Sequence, residues 1–202
     1  MCYSAEVKAE HHLYKRDGGE LDLAAFYELY WVPMNPGKRG KFGRPKTPRA
    51  MDLAFRHGTT EQERAIWQRI CEFDAAEITA TEQELFKQRQ RVVAGERVLA
   101  SAKPTKKASE DVRIGSNKVE AAQDRLADLK RTTLEPRDFR IFPDSFCPVM
   151  IAEGGKRIVK PMRYHCRPAH MPASFDTMPD GTMSGTYNAR RDNLESFWKR
   201  QF

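Results

Sequence analysis

The sequence has no run of eighteen apolar residues, so no segment has the length to cross a bilayer as a helix. Its first twenty residues carry charges throughout and lack the apolar core of a secretory signal. Cysteine is scarce. Cys2, Cys71, Cys147 and Cys166 form no CxxC and none of the spaced frameworks on which small secreted domains rely. These absences predict a cytoplasmic protein with reduced thiols and no membrane partner. Acid is missing in one place: residues 36–49 hold Lys38, Arg39, Lys41, Arg44, Lys46 and Arg49 with no Asp or Glu. The glycines and prolines of that stretch exclude a regular element, so it reads as a surface loop, either simply solvated or gripping phosphates.

What is present is basic. The 202 residues carry a formal net charge of +7, which favours an anionic partner, nucleic acid before membrane. The texture changes twice along the chain. Up to residue 58, short helical patterns alternate with loops, and Leu21, Leu23, Ala24, Phe26, Tyr27 and Tyr30 recur at helical spacing after a Gly-Gly break. Adjacent His11 and His12 read as a solvated helix face.

Residues 59–137 read as helical. Thr60 and Glu63 make a capping-box start. Ile78, Leu85, Val92 and Leu99 fall seven apart, and after a Lys-Pro break so do Val112, Val119 and Leu126, with Gly115, Ala122 and Leu129 between them. Two heptad stripes around one short loop predict an antiparallel coiled-coil hairpin, structural or serving as a partner-docking arm. The proposed register pairs Leu99 with Val112, Val92 with Val119 and Leu85 with Leu126, and sets Gly95 against Gly115.

Residues 138–202 change texture again. Residues 148–152 and 157–164 read as two strands around a Gly-Gly turn, with Pro161 marking an edge or bulge. The predicted fold class is therefore α+β: a discontinuous domain, residues 1–58 and 138–202, interrupted by the hairpin 59–137.

Cys2 carries the most distinctive chemistry. A penultimate cysteine is small enough for the initiator methionine to be removed, leaving an amine and a thiol on one residue. The amine condenses with an aldehyde and the thiol closes on the imine, giving a thiazolidine. An α-amino pKa of about 7.7–8.0 leaves an appreciable neutral, nucleophilic fraction at physiological pH, and nearby cations or a helix terminus activate the thiol. Alone, a Met-Cys start is commonplace.

Read together, Met1-Cys2-Tyr3-Ser4-Ala5, the strand pair ending Met162-Arg163-Tyr164, and Tyr187-Asn188-Ala189-Arg190 resemble one family, the SOS-response-associated peptidases that process abasic sites. The likeness covers both ends of the chain and extends to the subgroup with a long helical insertion. It implies a partial, mainly β domain of that type and a hydrolase with lyase-like chemistry that needs no cofactor. Its partner is single-stranded DNA carrying abasic sites. Cys2 is then the nucleophile that forms a thiazolidine crosslink, Asn188 positions the cysteine and the damaged sugar, and Arg190 holds the neighbouring phosphate. Arg163, Lys38, Arg39, Lys41 and Arg44 are the further DNA-binding candidates. For Asn188 and Arg190 the alternative is a turn that caps the next helix.

The family also has an acidic residue on a following strand and a later histidine, which serve acid–base chemistry. Neither has a counterpart here: Glu195 stands too close to Arg190, and His165 and His170 precede the motif. The family's aromatic wedge and the arginine after its cysteine are missing too. Either the chain is the front part of a longer or split protein, completed by a complementary half, or it is a degenerate copy that binds without turnover. A non-catalytic basic nucleic-acid-binding or scaffold protein is the competing reading. A metal site from Cys147, His165, Cys166 and His170 is a third, weakened by irregular spacing.

Overall fold

A computed structural model of the chain describes residues 4–6, 11–31, 44–168, 170–176, 178, 194–196 and 198–199; Cys2, Lys38, Arg39, Lys41, Asn188 and Arg190 lie outside them. The fold is α+β and divides into two compact units, Met1–Ile70 with Leu134–Phe202, and Cys71–Thr133. The division falls inside the predicted hairpin, not at its ends. Helix α4 (Glu61–Leu99) begins with Ile66 and Ile70 fully buried in the first unit. On the return side, the 3-10 turn Pro136–Phe139 lies against α3 (Arg49–Leu53) of the same unit.

The first unit holds two small sheets. Strand β1 (Ala5–Glu6) pairs antiparallel with β3 (Arg140–Ile141). The second sheet has the order β2 (Gly19–Leu21), β5 (Lys156–Arg163), β4 (Phe146–Glu153), with β2 parallel and β4 antiparallel to β5. The hairpin between β4 and β5 turns on Gly154 and Gly155, whose φ values of 58° and 77° suit a two-residue turn with the twist of its strands. Pro161 faces Pro148 in an unbroken register, without a bulge. Two prolines can face only where no N–H···O bond is exchanged, and the Tyr164 N–H to Ser145 carbonyl bond sets the alternation in that phase. On its other side Pro161 lies beyond the end of β2, where no donor is needed.

Sequence patterning does not show β2. Gly19 lies close against its neighbours there: a Cβ would stand 2.8 Å from Met150 Cε, 3.0 Å from Val159 Cγ2 and 3.1 Å from the Tyr14 carbonyl oxygen. Asp22 then starts helix α2 (Leu23–Trp31) by accepting from the Ala25 N–H at 3.0 Å. Phe26 and Tyr30 of α2 meet Phe55 edge-on, at centroid distances of 5.4 and 6.1 Å. His11, at the start of α1 (His11–Arg16), is not solvated. Its ring packs edge-on at 4.6 Å from Phe55, and burial, first, lowers its pKa to about 4.

The capping box forms as predicted: the Glu63 N–H donates to Thr60 Oγ1 at 3.1 Å, and Glu63 Oε2 accepts from the Thr60 N–H at 3.0 Å. Helices α4 and α5 (Lys106–Lys130) form the antiparallel hairpin, cross-braced in the second unit by Arg91–Asp111 at 2.6 Å and Arg125–Glu77 at 2.5 Å. The register differs from the predicted one. Leu99 is exposed, and the glycines do not face each other. A Cβ on Gly95 would stand 2.8 Å from Val112 Cγ2, and one on Gly115 would stand 2.7 Å from Val92 Cγ2. Each valine therefore seats on the opposite glycine. The residues of α5 most deeply buried are the small ones, Ala108, Gly115 and Ala122, together with Leu129.

Glycine to alanine inside a helix ordinarily gains up to about 1 kcal/mol. Here the sign reverses, because a helical valine is held at χ1 and cannot swing aside. Gly95→Ala and Gly115→Ala are each expected to cost about 1–3 kcal/mol in urea unfolding. Adding Val112→Ala to Gly95→Ala should recover much of the loss. A stabilised single mutant sinks the register.

Candidate nucleic-acid interface

Strand β1 begins three residues after Cys2, and β3 holds it at both ends of a short ladder, Ala5 opposite Ile141 and Glu6 opposite Arg140. Arg140 Nη1 donates to Ser4 Oγ at 2.8 Å. The antiparallel sense points the Ser4 end of β1 toward the Phe142 end of β3. There the chain turns through Phe142-Pro143-Asp144-Ser145, closed by the Ser145 N–H to the Phe142 carbonyl at 3.0 Å. Asp144 has a φ of 71°, the left-handed conformation that the third residue of a Pro-started type II turn requires and that aspartate tolerates.

Asp144 anchors a charged cluster. Its Oδ1 accepts from Arg163 Nη1 at 3.0 Å and its Oδ2 from Lys46 Nζ at 3.3 Å. Arg163, the last residue of β5, also donates through Nη2 to Asp176 Oδ2. Asp176, in the 3-10 turn Ala173–Asp176, is fully buried as a side chain. It accepts as well from Arg167 Nη1 at 2.9 Å, and His165 Nε2 stands 3.3 Å from its Oδ1. Two carboxylates are thus surrounded by three permanent cations and a histidine. The interior of the cluster is neutralised, while Lys46 and Arg167, 44% and 38% exposed as side chains, carry its positive charge to solvent.

The DNA-binding candidates therefore sort by geometry. Arg163 has both ends of its guanidinium engaged by carboxylates and orders the cluster from within. Arg44 departs from the expected loop cation. Its Nη2 is paired with Asp52 Oδ2, and only 19% of its side chain is exposed. Asp52 is itself buried, with Oδ1 accepting from the Tyr30 hydroxyl at 2.5 Å and from Thr47 Oγ1 at 2.7 Å. Lys46, two residues on, reaches the charged cluster. Sequence reasoning missed Asp144, Arg167 and Asp176. Pro143-Asp144 carried a turn signal, whereas Asp176 had none, since its partners lie on another element.

Cys147 is buried on β4, and burial pushes its thiol pKa up, away from nucleophile or ligand chemistry. Tyr14 beside it, whose hydroxyl donates to the Pro148 carbonyl at 3.2 Å, is also raised, by burial first and then by Cys147. Among the described residues no three His, Cys, Asp or Glu side chains converge on a metal position. The described part of the chain contains no helix long and apolar enough to cross a membrane. No protein-family model, curated protein or solved structure matches the chain.

Proposed function

We propose that the protein captures abasic sites in single-stranded DNA through Cys2. The observation that carries the reading is the anchoring of β1, the strand that follows Met1-Cys2, on the β3 strand leading into the cationic Lys46–Asp144–Arg163 cluster. The strand that follows Cys2 in sequence is thereby paired with the segment that leads to a cationic rim. The motif resemblance at Cys2, Asn188 and Arg190 supports the same chemistry.

The step balances without an oxidant or reductant. After Met1 is removed, the Cys2 amine adds to the aldehyde carbon of the ring-opened sugar and water leaves, giving an imine. The thiolate sulfur then bonds to that carbon, the imine electron pair moves to nitrogen, and nitrogen takes the proton. One water is lost overall. Asn188 orients the sugar and Arg190 holds the adjacent phosphate. On this reading the protein acts in the cytoplasm, and its helical hairpin is free to dock a protein partner.

The test mixes the full chain with an abasic single strand and resolves the products on a denaturing gel. The expected product has the summed mass of Met1-less protein and DNA less one water, and Cys2→Ser forms none. An adduct that survives Cys2→Ser overturns the assignment. Absence of any adduct, with equal salt-sensitive binding to damaged and intact strands, replaces it with the non-catalytic nucleic-acid-binding or scaffold reading.

A further inference from the structure

Two large apolar side chains of α4 face away from its partner helix. Gln88 and Gly95 mark the inward side: Gln88 is buried, and Gly95 is where Val112 of α5 seats. Phe86 and Val93 each precede one of them by two residues, about 200° around the helix, and so share the opposite side. They are 65% and 45% exposed, and no large apolar side chain among the described residues is more exposed than Phe86. Seven residues apart, they continue to Thr79 on one side and Ala100 on the other as a heptad stripe of uncharged residues. The Thr79 hydroxyl is satisfied within the helix, by the Ala75 carbonyl at 2.9 Å.

A single exposed apolar side chain is ordinary on a surface. This stripe differs in what borders it. Glu82 and Arg89 lie on one flank, about 40° and 60° from Phe86, and Gln83 and Gln90 lie at similar angles on the other. A second α4 laid antiparallel on the first, with the twofold axis at Phe86, brings like flanks together. Glu82 then stands level with Arg89 of the second copy, and Arg89 with Glu82 of the second copy. Gln83 and Gln90 meet amide to amide, Phe86 meets Phe86, and Val93 meets Thr79. In a parallel pair Glu82 would face Gln83 and Arg89 would face Gln90, so charge selects the antiparallel sense. Arg89 makes no ion pair among the described residues, and Glu82 meets Lys130 at 3.3 Å with both side chains more than half exposed. A carboxylate has acceptor sites to spare for a second donor. The basic excess of the chain lies elsewhere: residues 71–133 hold twelve Lys and Arg against eleven Asp and Glu, so two hairpins approach nearly neutral.

We infer that this outer face of α4 docks a second copy of the chain, giving an antiparallel, twofold dimer centred on Phe86. The contact spans about four turns of one helix, which places it in the small, reversible class below about 1,200 Å². The inference is independent of the abasic-site reading and involves no DNA.

Sedimentation velocity of the full chain, over a series reaching high micromolar concentration, is expected to show a monomer–dimer equilibrium. Phe86→Ser should weaken it about 10- to 100-fold, since each dimer loses the side chain twice. Phe86 is exposed, so the urea midpoint of this variant should stay with the parent's. Arg89→Glu and Glu82→Arg should each weaken dimerisation about 5- to 50-fold by setting like charges across the axis. The double variant should recover the parent's affinity. A chain that stays monomeric throughout overturns the surface, and so does a dimer that Phe86→Ser leaves untouched. A dimer that Phe86→Ser breaks but the double charge variant fails to restore overturns the antiparallel register. Adduct formation with abasic DNA is read separately and succeeds or fails without moving these outcomes.

Discussion

Replacing Asp52 with alanine is expected to lower the stability of the protein by about 3–5 kcal/mol, as for other buried ion pairs cut on one side. Asp52 is 2% exposed and is the common acceptor of three donors from different places: the Tyr30 hydroxyl on α2, the Thr47 hydroxyl, and the Arg44 guanidinium. Alanine removes the buried acceptor that the two hydroxyls and the guanidinium share. The phenol is already resistant to ionisation, since burial, and then the neighbouring carboxylate, raises the Tyr30 pKa well above its ordinary value. It therefore stays a donor at any working pH. Asp52→Asn retains one acceptor oxygen but turns an amide toward Arg44, so it should fall between parent and alanine. Urea midpoints of the three proteins check this. A loss below about 1 kcal/mol in Asp52→Ala would place the network among dispensable surface pairs.

The second large effect concerns acid. His11 is buried against Phe55 and Phe26, and burial, partly opposed by Glu63 and reinforced by Lys15, takes its pKa from 6.5 to about 4. The unfolded chain thus binds a proton at a pH where the folded one refuses it. Stability is fully present above pH 6.5, declines as pH falls, and stops declining from this source near pH 4. The total is about 3 kcal/mol, with about 2 kcal/mol gone by pH 5. Glu63 contributes in the same direction but lower. Burial alone would raise its pKa, yet hydrogen bonds from Thr60 and Thr59 prevail and lower it from 4.5, so its loss belongs below that pH. Unfolding free energies at pH 7.5 and pH 5, compared between the parent and His11→Leu so that the other histidines cancel, read the His11 share. His11→Leu should flatten the difference, and it also removes a buried Nε2 that has no hydrogen-bond partner. The same slope in parent and variant refutes the assignment.

Local signals were legible before the structure. The Thr60–Glu63 cap, the Gly-Gly turn between β4 and β5 and the two long helices rest on contacts within a few residues, and all formed. Relations between distant segments were not. The hairpin register was read from its largest apolar side chains, but the helices approach where residues are smallest, so Val92 and Val112 seat on glycines and Leu99 stays outside. His11 looked solvated because its apolar neighbour, Phe55, is remote in sequence. Arg44 looked like one more loop cation because nothing marks Asp52, inside a short helix, as its partner. Of the site itself, Arg163 was legible as a strand-end cation, whereas the carboxylates that hold it come from a turn and a later segment.

The split first unit has a consequence for the order in which the molecule assembles. Tyr14 bonds to Pro148, 134 residues away, and β1 and β2 both wait for strands made after the hairpin. A ribosome therefore exposes the amino-terminal strands long before their partners exist. The hairpin is complete in sequence before β3 and β4 are made, and its antiparallel helices bring the chain segments that flank it close together. It acts as a clasp made in advance: what would be an open loop of more than a hundred residues reaches the sheet already shortened, with less entropy left to lose on closing.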